Sequence, residues 1–397
     1  MTARSQVGHM TATLPQMLAD LETLVRCESP TADLDAVAKS ADVVTELGTA
    51  RLGLRPERIT IEGRTHLRWR LGDAPSRVLL LGHHDTVWPI GSLGRHPFVV
   101  ENGVVRGPGC FDMKAGLVMA FHAVAALSDP SGVTVLVTGD EETGLPTSRW
   151  LVEEEASGCA AALVLEASAD GAALKTARKG VSLYGVEAHG RAAHAGLEPE
   201  RGVNATVELA HQVIAVGALA DTGRGTSVTP TVLTSGTTTN TVPEAGRFAV
   251  DVRVRDAAEQ ARVDRAMRAL RPVSGGARLE ISGGPNRPPL EHMASAELFA
   301  RAVTLADRLG LATPVGAAVG GASDGNLTAG VGTPTLDGLG AVGGGAHADD
   351  EHVVVAELPG RTALLTALTD DLLADPPPRG RAYQLAGSVR PLEGDPS

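Results

Sequence analysis

The sequence predicts an α/β fold in which a mainly parallel sheet, flanked by helices, is interrupted by a smaller α+β domain. Two observations predict this fold. Four short apolar runs alternate with helical patterns, as in sheets whose two faces are both covered by helices. Between residues 180 and 286 the pattern changes to alternating strands and two helical stretches in the order β-α-β-β-α-β, which is typical of a ferredoxin-like domain.

The chain opens with helical patterns and continues with strands. Apolar residues of the first helix recur at helical spacing at Leu14, Met17, Leu18, Leu21 and Leu24. A second helical pattern covers residues 33–50, and the clearest of the later ones covers 114–128. The four apolar runs, each interpreted as a buried strand, are VLLLG to Gly82, VTVLVTG to Gly139, AALVL to Leu165 and TPTL to Leu336.

These patterns divide the chain into four parts. The sheet domain is expected over residues 1–179 and again over 287–375, with further helices at 295–309 and 355–373. The inserted ferredoxin-like domain is expected over residues 180–286. Residues 376–397 show no periodicity, and we expect them to form a mobile tail.

Composition excludes several classes of protein. The 397 residues include 47 Asp and Glu against 35 Lys and Arg, a net charge of −12, which argues against a nucleic-acid partner. No apolar run approaches the roughly 18 residues that a membrane span requires, so we expect no membrane partner. The three cysteines, Cys27, Cys110 and Cys159, are too dispersed for a disulfide framework or a cysteine zinc site. With no secretory signal pattern, this predicts a cytoplasmic protein.

Polar side chains follow each predicted parallel strand at the point where it ends. Ligands of open α/β sheets bind outside the carboxyl ends of the strands, so we expect these side chains to converge on one crevice. The loop GPGCFDMKAG adds one more acid just before a helix. The converging residues are His83, Asp85, Asp112, Glu141, Glu142, Glu166 and His347.

Imidazole and carboxylate groups without a thiolate suit a zinc site, or one for manganese or cobalt. His83 and Asp85 are two residues apart, so they share a face of an extended segment while His84 points away. We therefore predict His83 as a ligand and Asp85 as the carboxylate that orients its ring. Of Glu141 and Glu142, one can bind metal while the other holds the attacking water.

Six motifs resemble the M20 family of zinc metallopeptidases, and within it the glutamate carboxypeptidase branch. They occur in family order between residues 15 and 375 and are GHHDTV, GPGCFDMKAG, TGDEETG, ALVLEAS, AHAG and GGGAHADDE. The resemblance implies a catalytic α/β domain, in two parts, interrupted by a dimerisation domain that can close over the site as a lid.

The resemblance also implies two divalent metal ions per subunit, with Zn²⁺ as first choice and Mn²⁺ or Co²⁺ as alternatives. Asp112 would bridge both ions. His83 and Glu166 would complete one shell, and Glu142 and His347 the other. Catalytic roles fall to Glu141, as general base, and to Asp85, behind His83.

Residues of the inserted domain, together with Arg287 just after it, are implied to bind substrate. His194 resembles a histidine that reaches across the dimer to the oxyanion, and Asn240 and Arg287 resemble residues that hold the terminal carboxylate. Arg253 is a further substrate candidate, with a structural salt bridge as the alternative. The segment after Glu166 is one residue longer than the family pattern, so three basic residues compete for a place near the substrate's outer carboxylate: Lys175, Arg178 and Lys179.

The predicted function is metal-dependent hydrolysis of a peptide or N-acyl amide bond next to a free carboxylate, by a metal-bridging water that Glu141 activates. The enzyme would be a homodimeric carboxypeptidase acting on a small peptide or N-acyl amino acid, with glutamate as a candidate C-terminal residue. One alternative is an N-acyl-amino-acid deacylase of the same family. The alternative from a different class is a non-catalytic, metal-stabilised binding protein.

Overall fold

A mixed six-stranded sheet and a separate four-stranded sheet organise the chain. The computed structural model describes residues 3–380 and 382. It divides into two units: one comprises the chain up to Arg178 together with Leu290–Ala382, and the other comprises Lys179–Pro289. Of the predicted tail, residues 376–380 form neither helix nor strand, whereas 381 and 383–397 lie outside the described residues.

The described part of the chain contains nine α-helices and eighteen strands. The helices are α1 (Ala3–Arg26), α2 (Leu34–Leu52), α3 (Ala115–Ala125), α4 (Arg149–Gly158), α5 (Ala205–Gly217), α6 (Ala257–Arg268), α7 (His292–Leu309), α8 (Gly325–Gly330) and α9 (Leu358–Ala374). The strands are β1 (Glu57–Ile61), β2 (Arg64–Arg70), β3 (Val78–His83), β4 (Val99–Glu101), β5 (Val104–Arg106), β6 (Val133–Thr138), β7 (Ala161–Val164), β8 (Leu174–Arg178), β9 (Gly180–His189), β10 (Ala193–His194), β11 (Ser227–Ser235), β12 (Thr241–Val242), β13 (Ala245–Val254), β14 (Arg278–Arg287), β15 (Gly316–Val319), β16 (Thr335–Leu336), β17 (Gly343–Gly344) and β18 (His352–Val354).

The larger sheet has the order β1-β2-β6-β3-β7-β16. Strands β6, β3, β7 and β16 run parallel to one another, and they are the four apolar runs of the sequence, as predicted. Strands β2 and β1 add an antiparallel edge. The four parallel strands therefore direct their carboxyl ends to the same side of the sheet.

Helices cover both faces of this sheet. Val78 and Leu80 of β3 belong to a core formed with α1, α2, α3, α7 and α9, whereas Leu79 and Leu81 belong to a second core formed with α4. Successive side chains of a strand point to opposite faces. Burial on both faces explains why β3 is apolar along nearly its whole length.

The second unit has the predicted β-α-β-β-α-β order. Its sheet, β11-β13-β9-β14, is antiparallel throughout, and α5 and α6 pack against it. Asn204 and Asp256 cap the amino termini of α5 and α6 by accepting main-chain N–H groups. The fold class predicted from the sequence is thus confirmed.

None of the helices in the described part of the chain has both the length and the apolar character needed to cross a bilayer.

Candidate metal centre

Neighbouring parallel strands deliver the candidate ligands to one edge of the larger sheet. His83 is the last residue of β3, Glu142 lies four residues beyond the end of β6, and Glu166 lies two residues beyond the end of β7. Asp112 comes from an irregular turn that leads into α3, where its peptide bond to Met113 is cis. All of these side chains belong to the first unit.

The side chains meet in two sets that share Asp112. His83 Nε2 lies 3.5 Å from Asp112 Oδ1 and 3.6 Å from Glu166 Oε1. His347 Nε2 lies 3.2 Å from Asp112 Oδ2 and 3.2 Å from Glu142 Oε2. The Asp112 carboxylate therefore presents one oxygen to each histidine, as a ligand shared by two ions would.

These donor atoms fit divalent metal ions. His83 Nε2 and Glu142 Oε1 are buried and have no hydrogen-bond partner among the described residues, and a buried polar atom without a partner is costly. Ligand atoms of His83, Asp112 and Glu142 lie within 4.8 Å of one another, as do those of His83, Glu141 and Glu166. Glu141 is thus close enough to the cluster to act on a ligand of the metal or to bind metal itself.

The carboxylates of this cluster favour the protonated form of its two histidines. Burial alone would lower the pKa of His83, but the nearby carboxylates of Asp112, Asp85 and Glu166 outweigh it and raise that pKa well above its usual value. Bonds to Asp112 and Glu142 raise the pKa of His347 to about 10. Metal binding requires neutral imidazoles, so a cation would have to displace these protons.

Asp85 holds both His83 and the turn that carries the two glutamates. His83 Nδ1 lies 3.0 Å from the main-chain oxygen of Asp85 and 3.4 Å from its Oδ1. The main-chain N–H groups of Glu141 and Glu142 donate to the two carboxylate oxygens of Asp85, each at 3.2 Å. Thr31 adds a hydroxyl donor at 2.7 Å. The sequence predicts the contact with His83; the contacts with the glutamate turn are an additional finding.

His84 points away from the cluster, as the alternation along the strand predicts. Its Nδ1 lies 3.1 Å from Ser40 Oγ and its Nε2 lies 3.0 Å from the main-chain oxygen of Thr65. Burial lowers the pKa of His84 to about 4. This histidine is therefore neutral and structural.

Arg178 is one of the three basic residues that compete for a place near the substrate's outer carboxylate. Its guanidinium is bonded to other residues of the protein. Its Nε donates to Asp337 Oδ2 at 2.6 Å and its Nη1 donates to the main-chain oxygen of Gly321 at 3.0 Å. Its Nη2 lies 3.7 Å from Glu166 Oε2. Sequence reasoning missed this pair because Asp337 is 159 residues away along the chain.

Two of the predicted substrate residues lie together in the second unit. His194 in β10 pairs with Thr241 in β12, and the N–H of Ala195 donates to the main-chain oxygen of Asn240 at 2.9 Å. The N–H of Gly196 donates to His194 Nδ1 at 3.1 Å, which leaves Nε2 of this exposed ring as the donor nitrogen.

The two predicted substrate arginines of the second unit differ in their surroundings. Arg253 makes a two-pronged ion pair with Asp251, at 2.8 and 2.9 Å, which supports the structural alternative for this residue. Arg287 ends β14; its side chain is buried, and its main-chain oxygen accepts from Gln260 Nε2 at 2.9 Å.

The chain matches a family model and is similar to known proteins in sequence and in fold. The chain matches the model of peptidase family M20/M25/M40 over residues 79–371, a span that includes every residue of the candidate metal centre. It is 30% identical over 374 residues to carboxypeptidase G2 from Pseudomonas sp. (strain RS-16), covering 90% of this chain and 89% of that protein. It is 32% identical over 274 residues to succinyl-diaminopimelate desuccinylase from Paracoccus denitrificans (strain Pd 1222), covering 62% of this chain and 69% of that protein. The solved structure of aminopeptidase PepT from Bacillus cereus ATCC 10987 has a TM-score of 0.70 at 22% identity, covering 91% of this chain and 99% of that chain.

Proposed function

The chain belongs to peptidase family M20/M25/M40 and is a metal-dependent hydrolase, and from this premise we propose that it cleaves an amide bond next to a free carboxylate, as a carboxypeptidase. The observation that carries the proposal is the position of the Asp112 carboxylate, with one oxygen toward His83 and the other toward His347. Family membership as a hydrolase removes the alternative of a non-catalytic binding protein.

In the proposed centre, His83, Asp112 and Glu166 hold one ion, and Asp112, Glu142 and His347 hold the other. Nitrogen and oxygen donors without sulfur favour Zn²⁺, with Mn²⁺ and Co²⁺ as alternatives. When bound, the ions supply Lewis acidity and lower the pKa of coordinated water.

Glu141 is the proposed general base. It takes a proton from the attacking water and returns it to the leaving amide nitrogen. Its carboxylate lies near His83 and Glu166, and its main chain is fixed by the bond to Asp85. A base whose main chain is held in this way needs little reorganisation before it accepts the proton.

Residues of the second unit are the proposed substrate-binding residues. Arg287 and Asn240 bind the terminal carboxylate, for which the planar guanidinium offers paired donors. His194, reaching across the proposed homodimer to the site of the other subunit, stabilises the oxyanion through Nε2. Arg253 is the weaker candidate, because Asp251 already occupies its guanidinium.

A second candidate function is deacylation of N-acyl amino acids. The similarity to succinyl-diaminopimelate desuccinylase favours it, whereas the similarity to carboxypeptidase G2 favours a carboxypeptidase and makes glutamate the C-terminal residue to test first. Both reactions cleave an amide next to a carboxylate, so the metal centre serves either one.

A substrate panel on metal-reconstituted protein tests this proposal. Dipeptides and N-acyl amino acids with C-terminal glutamate, aspartate and neutral residues are compared with the same compounds amidated at the C-terminus. We expect kcat/KM to be about 10- to 100-fold higher for the free carboxylate, the size of one charged hydrogen-bonded contact. Equal hydrolysis of the amidated compounds would contradict the proposal.

Two arginine variants make the panel specific for the proposed carboxylate site. Arg287→Ala should abolish the preference for a free carboxylate across the panel. Arg253→Ala is the matched control, because its guanidinium pairs with Asp251, and it should leave the preference intact. A preference that survives in the Arg287 variant would assign the carboxylate to another residue.

We also propose a homodimer formed through the second unit. Strand β11 lies at the edge of its sheet, where Val232 and Leu233 are 77% and 51% exposed. On the adjoining helix α5, Val207 and Ile214 are 48% and 73% exposed and lie seven residues apart on one helix face. An exposed strand edge beside apolar side chains is a surface suited to pairing with a second copy.

Light scattering tests the dimer. The wild-type protein should be dimeric at assay concentration, and Ile214→Glu should shift it to the monomer. Met293→Glu is the control, because Met293 is 81% exposed on α7 of the first unit and should not affect association. A monomeric wild type would contradict the dimer.

The three free cysteines support the cytoplasm as the proposed location.

A further inference from the structure

Glu351 is a buried carboxylate, and each of its two oxygens accepts two hydrogen bonds. Its side chain is 3% exposed. Oε1 accepts the main-chain N–H groups of Phe111, at 2.8 Å, and Asp112, at 3.0 Å. Oε2 accepts the main-chain N–H of Gly109, at 2.9 Å, and the indole N–H of Trp88, at 2.6 Å. Glu351 therefore acts on the protein rather than on a metal ion.

These four bonds join three segments that carry candidate metal ligands. Trp88 lies five residues beyond His83, on the segment that follows β3. The three main-chain donors form the turn that ends at Asp112. Glu351 itself lies four residues after His347, on the same loop. One side chain thus connects the supports of His83, Asp112 and His347.

Hydrogen bonds within the loop from His347 to Glu351 link the position of His347 to the fixed side chain of Glu351. The N–H of Glu351 donates to the main-chain oxygen of Ala348 at 3.0 Å, and the N–H of Ala348 donates to that of Gly345 at 2.9 Å. His347 is half exposed and has a positive φ of 62°. A half-exposed ring on a loop with an uncommon backbone conformation depends on the fixed end of that loop for its position.

The turn before Asp112 also needs an acceptor. Gly109 has a φ of 69°, and a Cβ there would lie 2.5 Å from Thr86 Cγ2, so the main chain passes close to its neighbour. Three amide groups of the turn point to one place, and buried N–H groups without an acceptor are costly. A carboxylate satisfies all three and fixes the peptide plane from which the Asp112 side chain leaves.

Building on the proposed function, we infer that Glu351 is a positioning residue that holds Asp112 and His347 in the arrangement required to bind metal. It acts through the Gly109–Asp112 turn and the His347 loop. The ion held by Asp112, Glu142 and His347 depends on both of these supports. The ion held by His83, Asp112 and Glu166 depends on the Gly109–Asp112 turn and on the bond from Trp88, but not on the His347 loop.

Metal titration of the apoprotein tests this role without a substrate. Glu351→Gln replaces one acceptor oxygen by an NH₂ group that faces N–H donors. We expect affinity for the ion at His347 to fall by about 10- to 100-fold, the usual effect of removing a group that orients a metal ligand. The readout is competition with a chromophoric chelator for Zn²⁺, together with the visible absorption of the Co²⁺-loaded protein, which should change.

Glu208→Gln is the matched control. Glu208 is also fully buried and also accepts main-chain N–H groups, from Val273 and Ser274, but it lies in the second unit. Both variants should lower the free energy of unfolding, and only Glu351→Gln should weaken metal binding. If Glu351→Gln is destabilised like the control but binds both ions as wild type does, the role is purely structural and the inference is wrong.

A milder variant covers the case in which Glu351→Gln does not fold. Trp88→Phe removes only the indole donor and should weaken the ion at His347 by a few-fold; unchanged affinity in this variant would then contradict the inference. The proposed function fails separately, since it would be contradicted by a wild-type protein that binds no metal at all.

Discussion

Glu141→Gln is expected to lower kcat by about 10²- to 10⁴-fold, the usual contribution of a general base, while both metal ions stay bound. The amide keeps the size of the side chain and cannot accept the proton. The main-chain bond to Asp85 is retained, so the turn keeps its position. Metal content by elemental analysis and turnover of the best substrate, measured on the same sample, check the two halves of this prediction.

Glu142→Gln is the natural comparison because the two glutamates are adjacent and differ in their contacts. Glu142 Oε2 lies 3.2 Å from His347 Nε2. Glu142→Gln should therefore lose the ion proposed to lie between Asp112, Glu142 and His347, and activity with it. If Glu141→Gln loses metal as well, then Glu141 is a ligand, which its proximity to His83 and Glu166 would allow. Near-normal turnover in the Glu141 variant would remove it from the reaction altogether.

Asp112→Asn is expected to weaken both ions and to abolish measurable activity. The variant keeps the shape of the side chain but removes the negative charge and one of the two oxygens that face His83 and His347. Affinity for each ion should fall by more than about 100-fold, because removing even an indirect support of a ligand costs up to that much. Titration of the apoprotein with Zn²⁺ measures both losses.

Asp20→Asn separates this effect from the general cost of neutralising a buried acid. Asp20 joins α1 to Arg51 and His122, at 2.7 and 2.8 Å, and has no contact with the metal centre. Its variant should lower the free energy of unfolding by about 3 kcal/mol, as expected when a buried ion pair loses one partner, and retain both ions. If Asp112→Asn loses only one ion, the carboxylate is not shared.

The parts of the fold that the sequence predicts are those encoded by neighbouring residues. Strands β3, β6, β7 and β16 are apolar because helices cover both faces of their sheet, so each is recognisable in isolation. Strand β2, RTHLRWR, is not recognisable, since its three arginines hide a mostly buried strand. Glu57 and Glu155 form ion pairs with Arg68, which offset the cost of placing its charge in a mostly buried strand.

In the candidate site too, sequence predicts the features encoded by neighbouring residues and not those that depend on distant contacts. Sequence predicts His83, Asp85, Glu142 and Glu166 as candidates because His83 ends an apolar strand and the other three follow shortly after one. It does not predict Glu351, although this residue closes the motif GGGAHADDE, because its donors lie about 240 residues earlier in the chain. Local sequence identifies groups that can bind metal, but it does not identify the group that holds their main chain in place.

Anomalous X-ray scattering at the zinc edge, from crystals of zinc-loaded protein, tests the central claim most directly. The expected result is two peaks per chain, one beside His83 and Glu166 and the other beside Glu142 and His347, with the Asp112 carboxylate between them. A single peak, or peaks that Asp112 does not contact, would contradict a two-metal centre built on this shared carboxylate.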